Sequence, residues 1–274
     1  MMSDRINKVI EEWNEVSQSD WYMSYRTDEV VQAILKKPES AFHRKTWEIM
    51  QNTFSSWKGK KVLVPSSGDN RAVFALAALG AEVTSCDICE KQLQFAKKIA
   101  SKFSLPIHFQ VEDTMRLAGV ASEAYDMVYT SEGVHVWIDD LSGMYTNIFR
   151  VLKEDGVYVN FEIHPFTRPF AYDDGKPEGR EIIIRKDYEW TGPFDEGVTY
   201  HWRLQDILNA VMNSKLVLTR LEEMHDEEDK GHFWFYEQER RKMTPEEIAA
   251  YYDIQKNPLS ALPQWFSMCA VKKL

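Results

Sequence analysis

The chain has 274 residues, which is long enough for one large α/β domain or for a core domain with a cap. Its 33 basic and 43 acidic side chains give a formal net charge of −10, and no run of Lys and Arg could track a phosphate backbone, so nucleic acid is not expected as a partner. The sequence shows no basic-then-apolar leader and no apolar run of about 20 residues, which predicts a cytoplasmic protein without a membrane partner.

The first 58 residues are predicted to form a helical extension that packs across the core or over the site. Ser3 can cap a first helix. The apolar residues of this helix recur at the i, i+3, i+4, i+7 spacing of one buried face: Ile6, Val9, Ile10 and Trp13. Residues 20–26 (DWYMSYR) are dense in aromatic side chains, which suits a lid over a ligand and an anchor for the extension equally well. A further helix is predicted over residues 40–54.

Residues 61–87 (KVLVPSSGDNRAVFALAALGAEVTSCD) are the stretch around which the rest of the chain is organised. An apolar run ends at Val64, a turn of small residues surrounds Gly68, an apolar helical segment follows, and a second apolar run ends at Asp87. This order is typical of a parallel crossover, whose first turn directs backbone N–H groups into a crevice and whose strand-end acid holds ribose hydroxyls. The stretch predicts a nucleoside-containing cofactor at the switch point of a doubly wound sheet.

The alternation of strands and helices continues and predicts an α/β fold with a mostly parallel sheet. A helix, a third strand, a fourth strand, a second helix and a fifth strand are expected at residues 90–103, 107–111, 125–130, 141–152 and 157–163. A later helix, a strand, a capping box (TPEE) and a closing antiparallel strand are expected at residues 204–212, 216–221, 244–247 and 265–271. We predict one domain over residues 59–274 behind the extension of residues 1–58, with insertions at about residues 166–202 and 225–263.

Two classes of cofactor fit a glycine turn followed by a strand-end acid, namely dinucleotides and S-adenosylmethionine. The later polar residues separate the two. Asp113 follows the third strand, where a methyltransferase places an acid against the adenine amine, and Ser131 and Glu132 follow the fourth strand, which lines the methionine end of the cofactor. S-adenosylmethionine is therefore expected, and a NAD-linked oxidoreductase is disfavoured because its glycine fingerprint is absent.

From Lys60 to the C-terminus the chain resembles the class I S-adenosylmethionine-dependent methyltransferases. VLVPSSGDN stands at the family's first strand and turn, SCDICEKQLQFAKK at its second strand and helix, VEDTMRL at its third strand, and residues 125–162 at its fourth strand, helix and fifth strand. A helix ending in RVLK before an acid-glycine turn is characteristic of members that act on small molecules. The resemblance implies a doubly wound seven-stranded sheet of order 3-2-1-4-5-7-6 with the last strand antiparallel, and methyl transfer to a small-molecule acceptor.

The resemblance also assigns roles to individual residues. By this resemblance, the backbone of Ser66, Ser67 and Gly68 contacts the amino-acid end and the ribose of the cofactor, and Asp87 binds the ribose hydroxyls. Ile88 and Thr114 lie beside the adenine, and Asp113 binds the adenine amine. Ser131 and Glu132 lie at the methionine end. Structural alternatives stay open for three of them. Asp87 and Thr114 can cap a helix or turn, and Glu132 can be a solvated loop charge.

The chain departs from the family's pattern at the turn. Ser66 and Asn70 stand where the usual first and third glycines lie, and only Gly68 keeps its place. Serine is small, and asparagine tolerates positive φ better than most residues, so we expect the turn to persist. Val64 replaces an acid that often ends the first strand, which removes one contact to the amino group of the cofactor.

A methyl acceptor that carries a proton needs a base. His164, just after the fifth strand, is the first candidate, followed by Glu132 and His201, and a structural role is the alternative for each. Three aromatic residues of the insertion either line an acceptor pocket or form the insertion's own core: Trp190, Tyr200 and Trp202.

A second reading of the whole chain is a protein of the same fold that binds S-adenosylmethionine or a nucleoside without catalysis. No metal site is predicted, because Cys86 and Cys89 form a C-x-x-C pair that has only Cys269 to join it, whereas a zinc site takes about four ligands. A redox pair is disfavoured against two cysteines at a strand end. The sequence leaves the acceptor and the oligomeric state open.

Overall fold

The computed structural model describes residues 4–170, 184–225 and 243–273, and Ser3 and the segments 171–183 and 226–242 lie outside these ranges. The helices are α1 (Asp4–Val16), α2 (Asp20–Ser24), α3 (Asp28–Lys36), α4 (Arg44–Gln51), α5 (Arg71–Ala78), α6 (Glu90–Lys102), α7 (Leu141–Val151), α8 (Leu204–Asn213) and α9 (Pro245–Tyr252). The strands are β1 (Lys61–Val64), β2 (Glu82–Asp87), β3 (Ile107–Val111), β4 (Tyr125–Ser131), β5 (Leu152–Ile163), β6 (Leu216–Met224) and β7 (Trp265–Lys272).

The seven strands form one sheet of order β3-β2-β1-β4-β5-β7-β6, as the resemblance implies. Strands β1 to β5 pair in parallel, and β7 runs antiparallel to both of its neighbours, β5 and β6. The order reverses between β1 and β4, where Leu63 lies opposite Val128. The carboxyl ends of these two strands therefore flank the crevice in which doubly wound sheets bind their ligands.

Helices cover both faces of the sheet and bury two apolar clusters. One cluster joins β1 and β4 to α3, α4 and α5 through side chains such as Val31, Met50 and Phe74. The other joins the opposite face to α7 and α8 through Ile148 and Val211. The central strand β1 buries Val62, Leu63 and Val64 and is apolar on both faces, as expected for a parallel sheet between two helical layers.

The predicted elements are confirmed, with differences at their boundaries. Helix α3 has no predicted counterpart, although Thr27 caps it by accepting from the backbone N–H of Val30. The helix predicted over residues 40–54 begins at Arg44, because Pro38–Ala41 form a separate 3₁₀ turn, and it ends at Gln51. Strand β5 begins at Leu152, before the predicted start. The predicted acid-glycine turn lies inside this strand as an irregularity in its pairing with β4, and Asp155 has a φ of 59° there.

The two insertions of the domain prediction are described only in part. Residues 171–183 of the first insertion and residues 226–242 of the second lie outside the described residues. Thr244 and Glu247 form the predicted capping box of α9, each side chain accepting from the backbone N–H of the other residue. In the described ranges, no helix has the length and apolar character needed to cross a membrane.

Candidate active site

The turn after β1 keeps the backbone of a glycine-rich loop although it holds one glycine. Ser66, Gly68 and Asn70 all adopt positive φ, at 49°, 52° and 66°. This left-handed region is easy for glycine and is visited by asparagine more often than by most residues. The usual pattern places glycine at every second residue of the turn, and these are the residues with a left-handed backbone here. The prediction that Ser66 and Asn70 preserve the turn is confirmed.

Polar side chains hold the turn in this shape. Asn70 is fully buried, its Nδ2 donates to the Gly68 carbonyl at 2.7 Å, and its Oδ1 accepts from Ser85 Oγ at 2.6 Å. Ser67 Oγ lies 2.9 Å from the same Ser85 Oγ, within hydrogen-bond distance. Strand β2 therefore holds the turn in place through Ser85. A side chain at Gly68 would be strained at this φ, and its Cβ would lie 2.8 Å from Tyr22 Oη, so Tyr22 would have to move.

Asp87 ends β2 beside the turn. One carboxylate oxygen accepts from the Gly68 N–H at 3.1 Å and the other from the Cys89 N–H at 2.9 Å. Burial raises the pKa of the Asp87 carboxyl to about 6, against the opposing effect of these N–H groups. Asp87 thus does cap the loop before α6, and it also lines the cavity, so the structural and binding roles are compatible.

Asp113 and Thr114 follow β3 on the far side of Asp87. Thr114 Oγ1 lies 2.7 Å from Ser66 Oγ, which ties the end of β3 to the turn after β1. Asp113 accepts from the Met115 N–H at 2.9 Å, and burial raises the pKa of its carboxyl. The carboxyl ends of β1, β2 and β3 therefore present one continuous polar surface.

Ser131 and Glu132 follow β4 on the other side of the turn. Glu132 has a left-handed backbone with a φ of 62°, and its Oε2 accepts from Arg71 Nη2 at 2.9 Å. Partial desolvation raises the pKa of the Glu132 carboxyl, although its side chain is still 38% exposed, and the charge of Arg71 opposes that shift. Arg71 also bonds Asp69 through Nε at 2.6 Å and lies over the ring of Tyr25 at 4.5 Å.

Five aromatic side chains form a roof over this surface, called here the aromatic roof: Trp13, Trp21, Tyr22, Tyr25 and Trp137. Consecutive rings meet edge to face, with centroids 5.2 Å apart for Trp13 and Trp137 and 5.8 Å apart for Trp13 and Tyr22. Four of these residues come from α1, α2 and the residue that follows α2, so part of the extension lines the cavity. Arg5 fastens α1 by an ion pair with Asp139 at 3.1 Å.

A cavity of about 400 Å³ lies between the roof and the sheet. All eight residues that the sequence assigns to the cofactor line it: Ser66, Ser67, Gly68, Asp87, Ile88, Asp113, Thr114 and Ser131. Glu132 lines it as well. The cavity also has an apolar side, formed by Ile6, Val9, Val134, Ile138, Ile163 and Trp265. One partly open cavity thus joins a polar half on β1 to β4 with an apolar half formed by α1, the turn after β4 and the ends of β5 and β7.

The two histidines predicted as bases lie elsewhere. His164 is fully buried, its Nε2 lies 2.8 Å from Glu223 Oε1, and its Nδ1 accepts from the Phe166 N–H. His201 stacks on Phe194 with ring centroids 4.4 Å apart, and burial, with the charges of Arg168 and Lys186, lowers its pKa to about 3. Neither histidine is among the described residues that line the cavity. The ring of His164 is held against β6 and that of His201 packs within the insertion, so neither ring is placed at the described cavity wall.

The insertion's aromatic residues do not line the cavity within the described part of the chain. Trp202 stacks on Tyr200 at 5.3 Å and donates Nε1 to the Ile138 carbonyl at 2.8 Å. Trp190 packs on Phe194 with centroids 4.5 Å apart. These contacts favour the second alternative, in which the aromatic residues build the insertion's own core.

Sequence reasoning missed Asp69, Arg71 and the aromatic residues Trp13 and Trp137 as parts of the cavity wall. Asp69 and Arg71 flank the last left-handed position of the turn, which is a signal that they face the crevice. No local pattern marks Trp137, because its place depends on how α1 packs against the turn that follows β4.

The three cysteines of the chain are not among the described residues that line the cavity. Cys86, Cys89 and Cys269 are buried free thiols, and burial raises the pKa of Cys86 to about 12. Within residues 4–170, 184–225 and 243–273 no group of three or more His, Cys, Asp or Glu side chains could hold a metal ion. The structure thus gives the C-x-x-C pair packed positions at the end of β2.

Residues 63–160 match a family model described as a methyltransferase domain. This match covers β1 to most of β5, the part of the sheet that carries the polar half of the cavity. The chain contains a class I S-adenosylmethionine-dependent methyltransferase domain. S-adenosylmethionine is the cofactor of this class.

Similar proteins agree with this assignment. A curated relative, an uncharacterized methyltransferase of Bacillus subtilis named YbaJ, is 24% identical over 199 residues, which cover 68% of this chain and 75% of the relative. A sterol 24-C-methyltransferase of Aspergillus fumigatus is 28% identical over 57% of this chain, and the match spans only 39% of that protein. A demethylmenaquinone methyltransferase of Leptospira interrogans is 27% identical over 44% of this chain and 49% of its own length.

Solved structures share the fold at lower identity. Geranyl diphosphate C-methyltransferase of Streptomyces coelicolor, solved with Mg²⁺, geranyl diphosphate and S-adenosyl-L-homocysteine, gives a TM-score of 0.62 at 14% identity and covers 98% of both chains. An S-adenosylmethionine-dependent methyltransferase of Mesorhizobium loti gives a TM-score of 0.57 at 18% identity, over 82% of this chain and 96% of that one. The first of these two similarities includes the N-terminal extension, since it spans nearly the whole chain.

Proposed function

We propose that the protein transfers a methyl group from S-adenosylmethionine to a small-molecule acceptor with a substantial apolar part. One observation carries the proposal: the eight residues assigned to the cofactor from the sequence meet in one roofed cavity that continues into an apolar half. A cytoplasmic location and the exclusion of nucleic acid as a substrate belong to the same proposal and rest on composition.

The residues present fit the cofactor. We assign the ribose hydroxyls to Asp87, the adenine to Ile88, Asp113 and Thr114, and the amino-acid end to the turn from Ser66 to Gly68 and to Ser131. The left-handed turn leaves room for a ligand close to the backbone, and Asp87 is already oriented by two N–H donors. The bound cofactor supplies a methyl group that is activated by a sulfonium centre.

The chain's own part in this chemistry is to align the acceptor and to exclude water. The aromatic roof and α1 close the cavity on the side opposite the sheet, so an acceptor in the apolar half is shielded from solvent. Among the three predicted bases, we assign proton removal to Glu132, because it is the one that lines the cavity and its pKa is raised. An acceptor that loses no proton does not need this step.

The nature of the acceptor follows from the apolar half of the cavity. Ile6, Val9, Ile138, Ile163 and Trp265 present no hydrogen-bonding group except the indole of the tryptophan. The names of three similar proteins contain a sterol, a demethylmenaquinone and geranyl diphosphate, which all have a large hydrocarbon part. We therefore place an isoprenoid-like or aromatic molecule first among candidate acceptors.

Release of S-adenosylhomocysteine in the presence of acceptor panels tests this proposal. The panels contain apolar amines, phenols, thiols, quinols and prenyl compounds, and each is also assayed with Asp87→Asn. Acceptor-dependent release by the wild type and its loss in the variant are expected. If the wild type binds the cofactor but releases no product with any panel, the catalytic proposal is wrong and the non-catalytic binding protein becomes the better account.

A further inference from the structure

The hydroxyl of Tyr25 in the aromatic roof has no role in the site described so far. Tyr25 lines the cavity, and its Oη accepts a hydrogen bond from the indole Nε1 of Trp21 at 3.2 Å. An indole N–H only donates, so the hydroxyl proton of Tyr25 is available to another acceptor, and none of the described residues accepts it. Burial raises the pKa of this hydroxyl, so it stays protonated at neutral pH. The cavity therefore carries a donor that is free to bind a ligand.

Arg71 holds Tyr25 beside Glu132. The guanidinium of Arg71 lies over the Tyr25 ring, 4.5 Å from its centroid, and Arg71 Nη2 donates to Glu132 Oε2 at 2.9 Å. A second bond, from Arg71 Nε to Asp69 at 2.6 Å, fixes the guanidinium. The contact with Arg71 uses Oε2 of Glu132, which leaves Oε1 as an acceptor. One cation therefore places a donor hydroxyl and a basic carboxylate next to each other in the cavity.

Glu132 lies where the two halves of the cavity meet. Residues 131–134 line the cavity in succession, from Ser131 in the polar half, which is assigned to the cofactor, to Val134 in the apolar half. Between them, Glu132 has a left-handed backbone with a φ of 62°. An acceptor that fills the apolar half can thus bring its reactive atom to Glu132 and Tyr25, next to the methionine end of the cofactor.

A donor and a base beside one reactive atom select an oxygen nucleophile. A neutral amine nitrogen has one lone pair, so a hydrogen bond from Tyr25 would occupy the pair that must attack the methyl group. A thiol sulfur is a weak hydrogen-bond acceptor and gains little from the donor. A hydroxyl oxygen has two lone pairs and one proton. It can accept from Tyr25 with one pair, attack the methyl group with the other and give its proton to Glu132.

The weak basicity of a carboxylate restricts this hydroxyl to an acidic one. A phenolic hydroxyl has a pKa of about 10, compared with about 15.7 for water. Partial desolvation raises the pKa of the Glu132 carboxyl, which makes it a better base for such a proton. A hydrogen bond from Tyr25 stabilises the negative charge that develops on the oxygen. Phenols, quinols and enols are therefore favoured over aliphatic alcohols.

We propose that the acceptor is a phenol, a quinol or another acidic hydroxyl compound with an apolar body, and that Tyr25 is a catalytic residue that donates a hydrogen bond to the acceptor oxygen. The O–H bond of the acceptor breaks, and its proton goes to Glu132. The oxygen forms the new O–CH₃ bond as the S–CH₃ bond breaks and leaves its electron pair on sulfur, which gives a methyl ether and S-adenosylhomocysteine. Arg71 is a positioning residue for both side chains. This inference rests on the proposed function, since it names the acceptor class of the same site.

Binding of two probes to the protein loaded with S-adenosylhomocysteine tests the contact from Tyr25. The probes are 2-naphthol and naphthalene, which differ by one hydroxyl. Calorimetric titration compares the wild type with Tyr25→Phe, which removes only the hydroxyl of the roof. Tyr125→Phe is the matched control, because the hydroxyl of Tyr125 donates to Thr84 at 3.2 Å at the start of β4, the end of the strand away from Glu132.

The hydroxyl probe and the hydrocarbon probe are expected to respond differently. Tyr25→Phe binds 2-naphthol about 2- to 10-fold more weakly than the wild type and binds naphthalene and S-adenosylhomocysteine within about twofold of it, since one neutral hydrogen bond is lost. The control matches the wild type with all three ligands.

Turnover with S-adenosylmethionine tests the acceptor class. The wild type should methylate 2-naphthol faster than 2-naphthylamine and 2-naphthalenethiol. Tyr25→Phe should lower kcat for 2-naphthol by about 10- to 100-fold, because the charge that develops on the oxygen strengthens the lost hydrogen bond. Glu132→Gln should lower kcat by about 100-fold or more and still bind 2-naphthol.

Faster turnover of the amine or the thiol, no turnover of 2-naphthol, or equal binding of 2-naphthol by the wild type and Tyr25→Phe overturns the inference. A loss of affinity for S-adenosylhomocysteine in Tyr25→Phe as large as that for 2-naphthol also overturns it, because the hydroxyl then serves the cofactor. The proposed function survives these results if the wild type methylates another acceptor, and it fails, with this inference, if the wild type does not bind S-adenosylhomocysteine. Melting curves identify a variant that does not fold, and the preference of the wild type among the three acceptors then decides the outcome.

Discussion

Asn70 shows how one side chain preserves a turn that usually needs glycine. Its left-handed φ of 66° suits asparagine. Its side-chain amide donates a hydrogen bond to the Gly68 carbonyl and accepts one from Ser85. Asn70→Ala is expected to lower the free energy of unfolding by about 2–4 kcal/mol, from left-handed strain and lost buried hydrogen bonds. Asn70→Gly removes the strain and should cost about 1–2 kcal/mol less. Urea unfolding of both variants measures this, and equal losses would contradict the role of backbone strain.

Asp87 makes the stability of the ligand-free protein depend on pH. Burial raises the pKa of its carboxyl from 3.8 to about 6, so between these values the folded protein holds a proton that the unfolded chain has lost. The contribution of Asp87 to stability therefore falls as pH rises from about 4 to 6, by on the order of 3 kcal/mol in total. Urea unfolding across this pH range measures the difference in the free energy of unfolding between the wild type and Asp87→Asn. This difference, wild type minus variant, should decrease as the pH rises. A flat or rising difference contradicts the shift.

The roof element depends on one buried cation. Arg26, which is 5% exposed, donates to the Gly68 carbonyl at 3.2 Å, to the Ser17 carbonyl at 3.2 Å, and to Gln92 of α6. Arg26→Ala should therefore loosen α1 and α2 without unfolding the sheet. We expect faster amide hydrogen exchange in residues 4–26 and faster dissociation of S-adenosylhomocysteine. Arg44→Ala, on the exposed side of α4, is the control and should change neither rate.

Hydrogen-exchange mass spectrometry distinguishes an effect on the aromatic roof alone from an effect on the whole fold. Faster exchange confined to residues 4–26 supports the coupling of roof and turn through Arg26. Faster exchange throughout the sheet strands, or unchanged exchange in α1 and α2, contradicts it.

The elements of the sheet are predictable from the sequence because each carries its own signal. Strands β1 and β2 are apolar runs that end in a turn or an acid, and the residues assigned to the cofactor are those at strand ends, which topology alone brings to one edge. His164 also follows a strand, but it turns toward Glu223 of β6, a partner 59 residues away that no local pattern reveals. The aromatic roof is equally hidden from local patterns, since the contact of Trp13 with Trp137 depends on how α1 packs against the turn that follows β4.

At the scale of the whole molecule, stability and binding reside in different layers. Ile148 of α7 is fully buried in the cluster on the face shared with α8 and does not line the cavity. Ile148→Ala should lower the free energy of unfolding by about 2–5 kcal/mol through lost burial and a cavity. The affinity for S-adenosylhomocysteine should stay within about twofold at temperatures where the variant is folded. A large loss of affinity in the folded variant would show that this layer shapes the site.

The central claim is that the carboxyl ends of β1 to β4 bind S-adenosylmethionine in the roofed cavity. Calorimetric titration with this cofactor tests it most directly, on the wild type, on Asp87→Ala, and on Glu82→Ala, which changes an exposed acid at the opposite end of the same strand. The account predicts binding to the wild type and to Glu82→Ala and a loss of at least about tenfold in Asp87→Ala. Absence of binding to the wild type, with and without candidate acceptors, or equal binding to all three proteins, would contradict it.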